Sequence, residues 1–253
     1  MKQPSLFLSH GAPDVLLSND PVLDFFAQLG DVQSMPAAIV IISAHWITEP
    51  IEVSVINEYQ TIYDFSGFSN ELYDLKYPAK GDIRLANQII ALLNSKGISA
   101  EENTTRGLDH GAWIPLKAVY PKAEIPVVAV SLPQTLQACA ELGNALQELR
   151  QQNVLIIGSG GSVHNLTAIN RLNHTDEWAL SFSNWLSEVV ATGDVNLLLD
   201  SEKYPDEFTP AHPSVEHLAP LFVSLAAGGG QAGKLIYDGY MYGNIGMACY
   251  QFD

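Results

Sequence analysis

Seven histidines carry most of the chemical information in this 253-residue chain, and three of them follow apolar, strand-like runs. His10 comes straight after SLFLS, and His45 follows AIVIISA. His164 lies six residues past the end of VLIIG, beyond a glycine turn. Imidazole both ligates metals and moves protons near neutral pH. In open α/β sheets, ligands bind beyond the carboxyl ends of the strands, so imidazoles delivered there from three strands can converge on one point. A single strand-end histidine more often belongs to the core or to a loop. The co-occurrence points to a cluster, strengthened by His110 in an Asp-His-Gly-Ala-Trp turn and His217 at a helix start.

Neutral imidazoles suit Zn, Fe, Cu and Ni. No thiolate lies near these histidines and no HExxH helix occurs, so neither a structural zinc knuckle nor the common zinc-protease site fits. Long spacings between ligands on separate elements are the pattern of a catalytic metal site with open positions. His212, in Ala211-His212-Pro213, sits five residues before His217. With Pro213 at a first helical position, His212 reads as a helix-start residue within reach of the same pocket. His174 reads as a polar loop residue outside it. The stretch Gly158-Ser159-Gly160-Gly161-Ser162 matches neither a phosphate loop nor GxGxxG, and no GxSxG nucleophile elbow occurs. It reads as a turn that allows close backbone approach.

Short strands and amphipathic segments alternate to position these residues. The strands are Ser5–Leu8, Ala38–Ser43, Glu52–Ile56, Ile125–Leu132 and Val154–Gly158, with Leu235–Tyr237 and Gly246–Phe252 closing the sheet. Ala38–Ser43 and Val154–Gly158 are continuous apolar runs, as strands buried on both faces should be. Helical spacing predicts helices from Pro21 to Gly30, over Asp82–Asn94 (ended by Gly97), Thr135–Leu149, Trp178–Val190 and Leu218–Ala227. This alternation is that of an α/β protein with helices on both sheet faces. Asn57–Gly81 is irregular and rich in aromatics (Tyr59, Tyr63, Phe65, Phe68, Tyr73, Tyr77), which suits a packed loop walling a pocket.

Composition narrows the function classes. Twelve basic against 28 acidic residues give a formal charge of −16, which repels nucleic acid and anionic membranes. Two cysteines, Cys139 and Cys249, are too few for a disulfide framework and suit a reducing compartment. No apolar run reaches the length of a membrane helix, and the N-terminus lacks a leader pattern. A soluble cytoplasmic protein is expected, as a monomer or small homo-oligomer. No side chain stands out as reserved for an amino-acid head group.

Five segments centred on histidine then carry a resemblance. They are Leu8-Ser9-His10-Gly11-Ala12-Pro13, Ser43-Ala44-His45-Trp46, Asp109-His110-Gly111-Ala112-Trp113, Val163-His164-Asn165-Leu166 and Glu216-His217-Leu218-Ala219-Pro220-Leu221. In this order they resemble the DOPA-dioxygenase-like proteins of the class III extradiol ring-cleaving dioxygenases, the LigB-like superfamily. Tyr63-Asp64-Phe65-Ser66-Gly67-Phe68, Leu72-Tyr73-Asp74 and Tyr77-Pro78-Ala79 resemble it too, so the likeness spans almost the whole chain.

The resemblance implies one three-layer α/β/α domain over residues 1–253, with a central mixed, mostly parallel sheet. It implies one mononuclear divalent metal, Fe(II) for ring cleavage or Zn(II), held by His10, His45 and His217. His164 would be the acid/base and a fourth ligand, with His110 assisting it. The implied reaction takes a small catechol and dioxygen and gives a ring-opened semialdehyde, by 4,5-type cleavage of a DOPA-like substrate. Trp46, His212 and the aromatic loop would wall the substrate pocket. Two alternatives stay open at this point: a zinc enzyme using a metal-bound hydroxide, and a non-catalytic binding protein on the same fold.

Overall fold

A computed structural model describes the chain except for residues 33 and 171–173. It opens with β1 (Ser5–Ser9), α1 (Val22–Val32), β2 (Ala38–Ser43), β3 (Ile51–Ser54), α2 (Asn70–Asp74), α3 (Ile83–Ser95) and β4 (Ala100–Asn103). It continues with α4 (His110–Val119), β5 (Val127–Ala129), α5 (Leu136–Leu146), β6 (Val154–Gly160), α6 (Glu177–Thr192), α7 (Val195–Leu199) and α8 (Phe208–Ala211). It closes with α9 (Ala219–Ala227), β7 (Lys234–Tyr237), β8 (Tyr240–Met241), β9 (Ile245–Gly246) and β10 (Cys249–Phe252).

Six strands form the central sheet in the order β5-β2-β6-β1-β10-β7. The first four are parallel, and β10 runs antiparallel to both β1 and β7. Strand period sorts the apolar side chains into two layers. Leu6, Leu8, Ile39, Ile41, Leu155 and Ile157 face a core shared with α1 and α4. Phe7, Val40, Ile42 and Ile156 face the opposite core, built with α3, α5, α6 and α9. The result is the three-layer α/β/α arrangement with a mixed, mostly parallel sheet. No helix among the described residues is long and apolar enough to cross a membrane.

Register sets up the site. Ser9 pairs with Gly160, and Ser43 with Ser159, so β1, β2 and β6 end at one level. The residues that follow them are delivered to one edge of the sheet.

Several elements differ from the sequence reading, each for a physical reason. Gly30 does not close α1, which runs on to Val32. A Cβ there would lie 2.1 Å from the Val119 carbonyl oxygen, so this glycine serves the close packing of α1 on α4. The Ile125–Leu132 strand keeps ladder pairing only over Val127–Ala129. The helix from Thr135 ends at Leu146 and tightens into a 3-10 turn over Gln147–Gln152. The Glu52–Ile56 strand is β3, which pairs with β4 outside the main sheet. The β4 sequence AEEN has no apolar pattern to announce it. Asp109-His110-Gly111 starts α4 and is not a turn, its helical signal masked by Gly111 and Pro115. His212 ends α8 instead of starting a helix, consistent with the bias against helix in a residue preceding proline.

Candidate active site

The carboxyl edge of the sheet gathers His10, His45, His110, His164 and His217 around one cavity of about 740 Å³. Each comes from a different place in the chain. His10 directly follows β1, and its backbone N–H donates to the Gly160 carbonyl at 3.0 Å. His45 lies two residues past β2, with its N–H on Ser43 Oγ at 3.2 Å. His110 is the first residue of α4, whose N-cap Asp109 accepts from the Ala112 N–H. His164 is held by a backbone bond to Ala211 at 2.9 Å. His217 precedes α9 and packs against β6, where a Cβ on Gly160 would lie 2.0 Å from its carbonyl oxygen. Gly158-Ser159-Gly160, read as part of a turn, continue strand β6 instead, and Gly160 allows the expected close approach and seats the His217 segment. Gly111 does the same for α4: a Cβ there would lie 2.4 Å from Ser43 Oγ and 2.8 Å from the His45 ring.

The rings are in mutual contact. His10 and His45 approach with Nε2 atoms 3.2 Å apart. His45 and His110 have centroids 4.0 Å apart, and His164 stacks on His217 at 3.5 Å with planes 6° apart. Nitrogens of His10, His45 and His217 lie within 4.8 Å of one another, the spacing of one ion's ligand set.

Hydrogen bonds on the far side of the rings fix which nitrogen faces inward. Ser159 Oγ donates its single proton to the Gly111 carbonyl, so toward His10 Nδ1, at 3.0 Å, it can only accept. His10 therefore carries its proton on Nδ1 and turns the Nε2 lone pair to the cavity. His217 Nδ1 donates to Glu216 Oε1 at 3.2 Å, which frees its Nε2 likewise. A carboxylate or hydroxyl behind each imidazole is how metal-binding histidines are oriented. The His45 Nδ1 is 3.8 Å from Asp64 Oδ2, too far for a hydrogen bond, so its ring is the least constrained.

The electrostatics favour neutral imidazoles. Burial, then the neighbouring histidines, hold His10 well below the ordinary imidazole range. Burial and then His110 and His217 lower His45 to about 2, against the opposing pull of Asp64. Burial, followed by His217, brings His164 down to about 3. Neutral nitrogen with its lone pair free is the form a metal binds. Neutral imidazole nitrogens of His10, His45 and His217 gathered within 4.8 Å thus fit a divalent cation of the kind imidazole prefers, Fe or Zn.

Two carboxylates anchor the cluster. Asp64 Oδ1 accepts from the His110 ring Nδ1 at 2.9 Å and from its backbone N–H at 3.0 Å. Burial pushes the Asp64 carboxyl up, but the hydrogen bonds and charge of His110 prevail and hold it at about 2. Glu216 is held at about 2, chiefly by its bond with His217. Neither was singled out for the site from sequence, although Glu216 was visible as the neighbour of His217. The signal for Asp64 was a carboxylate embedded among Tyr63 and Phe65. Ser159, inside the glycine-rich end of β6, gave none.

Trp46 and His212 are not among the residues lining the cavity. Trp46 is buried, with the Arg106 guanidinium 5.1 Å above its ring. That Arg106 donates to the His45 carbonyl and to Asp109, each at 3.0 Å, so Trp46 backs the support of His45. His212 is buried against Phe182 and Phe208, with Nε2 at 3.0 Å from the Ser162 carbonyl. His174 is exposed, as read. Of the aromatic stretch, Phe65 and Phe68 wall the cavity, while Tyr59 and Tyr77 are buried in the core.

This arrangement has close counterparts. The family model for the catalytic LigB subunit of aromatic ring-opening dioxygenase matches residues 4–253. The chain therefore belongs to the LigB family, and it is a metal-dependent dioxygenase of the extradiol class. The chain is similar to the 4,5-DOPA dioxygenase extradiol of Beta vulgaris, with 36% identity covering 98% of this chain and 96% of that one. It is 33% identical to the protein of the same name in Escherichia coli K12, over 99% of this chain and 94% of that one. The crystal structure of an uncharacterized protein from Escherichia coli K12 superposes with a TM-score of 0.85 at 30% identity, covering 99% of this chain and all of the other.

Proposed function

We propose that this protein opens the ring of a small catechol beside its two hydroxyls, a DOPA-like substrate cleaved in the 4,5 manner to a semialdehyde. The observation that carries the reading is the convergence of His10, His45 and His217, with His10 and His217 fixed by their partners to turn Nε2 inward. These three residues would hold the metal, with His164 beside them. A divalent iron bound there would supply the redox chemistry that joins an aromatic diol to dioxygen.

The remaining work falls to side chains. The diol must lose a proton on binding, and His164, neutral and half-buried, offers an imidazole nitrogen to take it. Without substrate, burial and the neighbouring His217 disfavour that proton against the pull of Glu216. An anionic diol supplies the missing negative charge, so His164 becomes basic when substrate is present and can return the proton at ring opening. His110, oriented by Asp64, presents its Nε2 as an acceptor to the same cavity. Phe65 and Phe68 flank the ring and exclude water.

The test is metal analysis and an oxygen electrode on one sample. Protein purified without chelators is assayed for iron and zinc, loaded anaerobically with Fe(II), and mixed with DOPA and simple catechols in air. Oxygen uptake with a new visible absorption band supports the reading. His164→Ala should keep its metal while kcat falls by about 10²–10⁴. Stoichiometric zinc with no uptake by the iron-loaded protein across a broad catechol panel overturns it.

A further inference from the structure

Among the described residues the cavity wall contains no lysine or arginine, and its single carboxylate is Asp14. Asp14 lies four residues past His10, on the 3-10 turn Pro13–Leu17. Gly11, at φ +65°, turns the chain between the two. One oxygen of Asp14 accepts from the Tyr242 hydroxyl, and Tyr242 lines the same cavity. The other, Oδ1, has almost no surface open to water and no hydrogen-bond donor among the described residues. A carboxylate has room for several donors, and a buried acceptor left unmade is costly. Asp14 lines the ligand cavity, so its under-satisfied carboxylate can take a donor brought by the ligand beside Tyr242, and charge-assisted bonds from an ammonium are the strongest available.

The surroundings agree. Leu17, Phe68, Leu166 and Ile169 give the cavity apolar walls that suit a short methylene arm. The chain's net charge of −16 concentrates cations and repels anions around the mouth. A volume of about 740 Å³ far exceeds what a bare catechol fills, so a side chain must be oriented by some specific group.

We propose that Asp14 binds the ammonium of a catechol's amine side chain, so that this site selects cationic catecholamines over catechols with an acidic side chain. This rests on the ring-opening reading of the same cavity. The preference should run from amine through zwitterionic amino acid to acid.

The experiment compares dopamine, DOPA, 4-methylcatechol and 3,4-dihydroxyphenylacetate as substrates of the iron-loaded protein. Titration calorimetry with the unreactive phenethylamine and phenylacetate on the protein as purified reads the same charge preference without turnover. The expected kcat/KM for dopamine is at least about tenfold above that for dihydroxyphenylacetate. Asp14→Asn, which keeps an acceptor for Tyr242, should lower the dopamine to 4-methylcatechol ratio about tenfold and weaken phenethylamine binding by a similar factor. Equal or better use of the acid by the wild type overturns the proposal. So does an Asp14→Asn variant whose ratio and phenethylamine affinity are unchanged. Asp14-dependent phenethylamine binding with no oxygen uptake from any catechol would sink the ring-opening reading and leave the ammonium site standing.

Discussion

The two ends of the parallel sheet both bury polar groups, and they treat them oppositely. At the amino end, Arg150 is fully buried and forms no ion pair with a carboxylate among the described residues. Its guanidinium donates to the carbonyls of Gln3, Ala227 and Phe252 at 2.8, 2.6 and 3.0 Å, tying β1, α9 and β10 together. At the carboxyl end, five histidines crowd one cavity, and the Nδ1 atoms of His10, His110 and His217 are held by Ser159, Asp64 and Glu216 so that their Nε2 lone pairs face inward. Donors matched by acceptors make a joint. Acceptors facing acceptors make a site, because only a cation or a ligand completes them.

Four variants sharpen or break this contrast. The largest effect is expected from His45→Ala, which removes a central nitrogen of the cluster. Bound iron should fall well below stoichiometry and oxygen uptake should drop by more than about 10³-fold, read by metal analysis and the oxygen electrode. Retention of full metal would show that the convergence is not the ligand set. Arg150→Met strips three carbonyls of their donor and should cost about 3–5 kcal/mol in denaturant unfolding, with metal content per folded molecule unchanged. A loss of metal with unchanged stability would reverse the two ends' roles.

Asp64→Asn keeps an acceptor for His110 but loses the charge. Chelator competition should show metal affinity down about tenfold, the usual size for a group behind a ligand. An effect confined to acid pH concerns His212, whose pKa is lowered by burial from 6.5 to about 4. The unfolded chain binds this proton first as pH falls. The His212 contribution to stability is therefore complete above pH 6.5 and drains away between 6.5 and about 4. His212→Gln, which can still donate to Ser162, should recover about 2 kcal/mol of the stability lost by pH 5. An unchanged pH slope would show that His212 is not the group titrating.

Much of this was legible in one dimension. Continuous apolar runs announced β1, β2 and β6, and histidines just past them announced the cluster. What misled was context. Gly111 and Pro115 disguised the start of α4, and Gly30 imitated a helix stop while serving a close helix crossing. The polar strand β4 carried no pattern at all. Trp46 and His212, read as pocket residues, turned out to support the site from behind.

The amino-acid sequence by itself determined the α/β alternation, the strands and the identity of the five histidines, because strand burial and residue chemistry are local properties. Tertiary structure alone decided which nitrogens face inward and which groups stand behind them. Asp64 reaches His110 across 46 residues and Ser159 reaches His10 across 149. The sheet register that brings such partners to bonding distance is a property of the whole packed core and of no single segment.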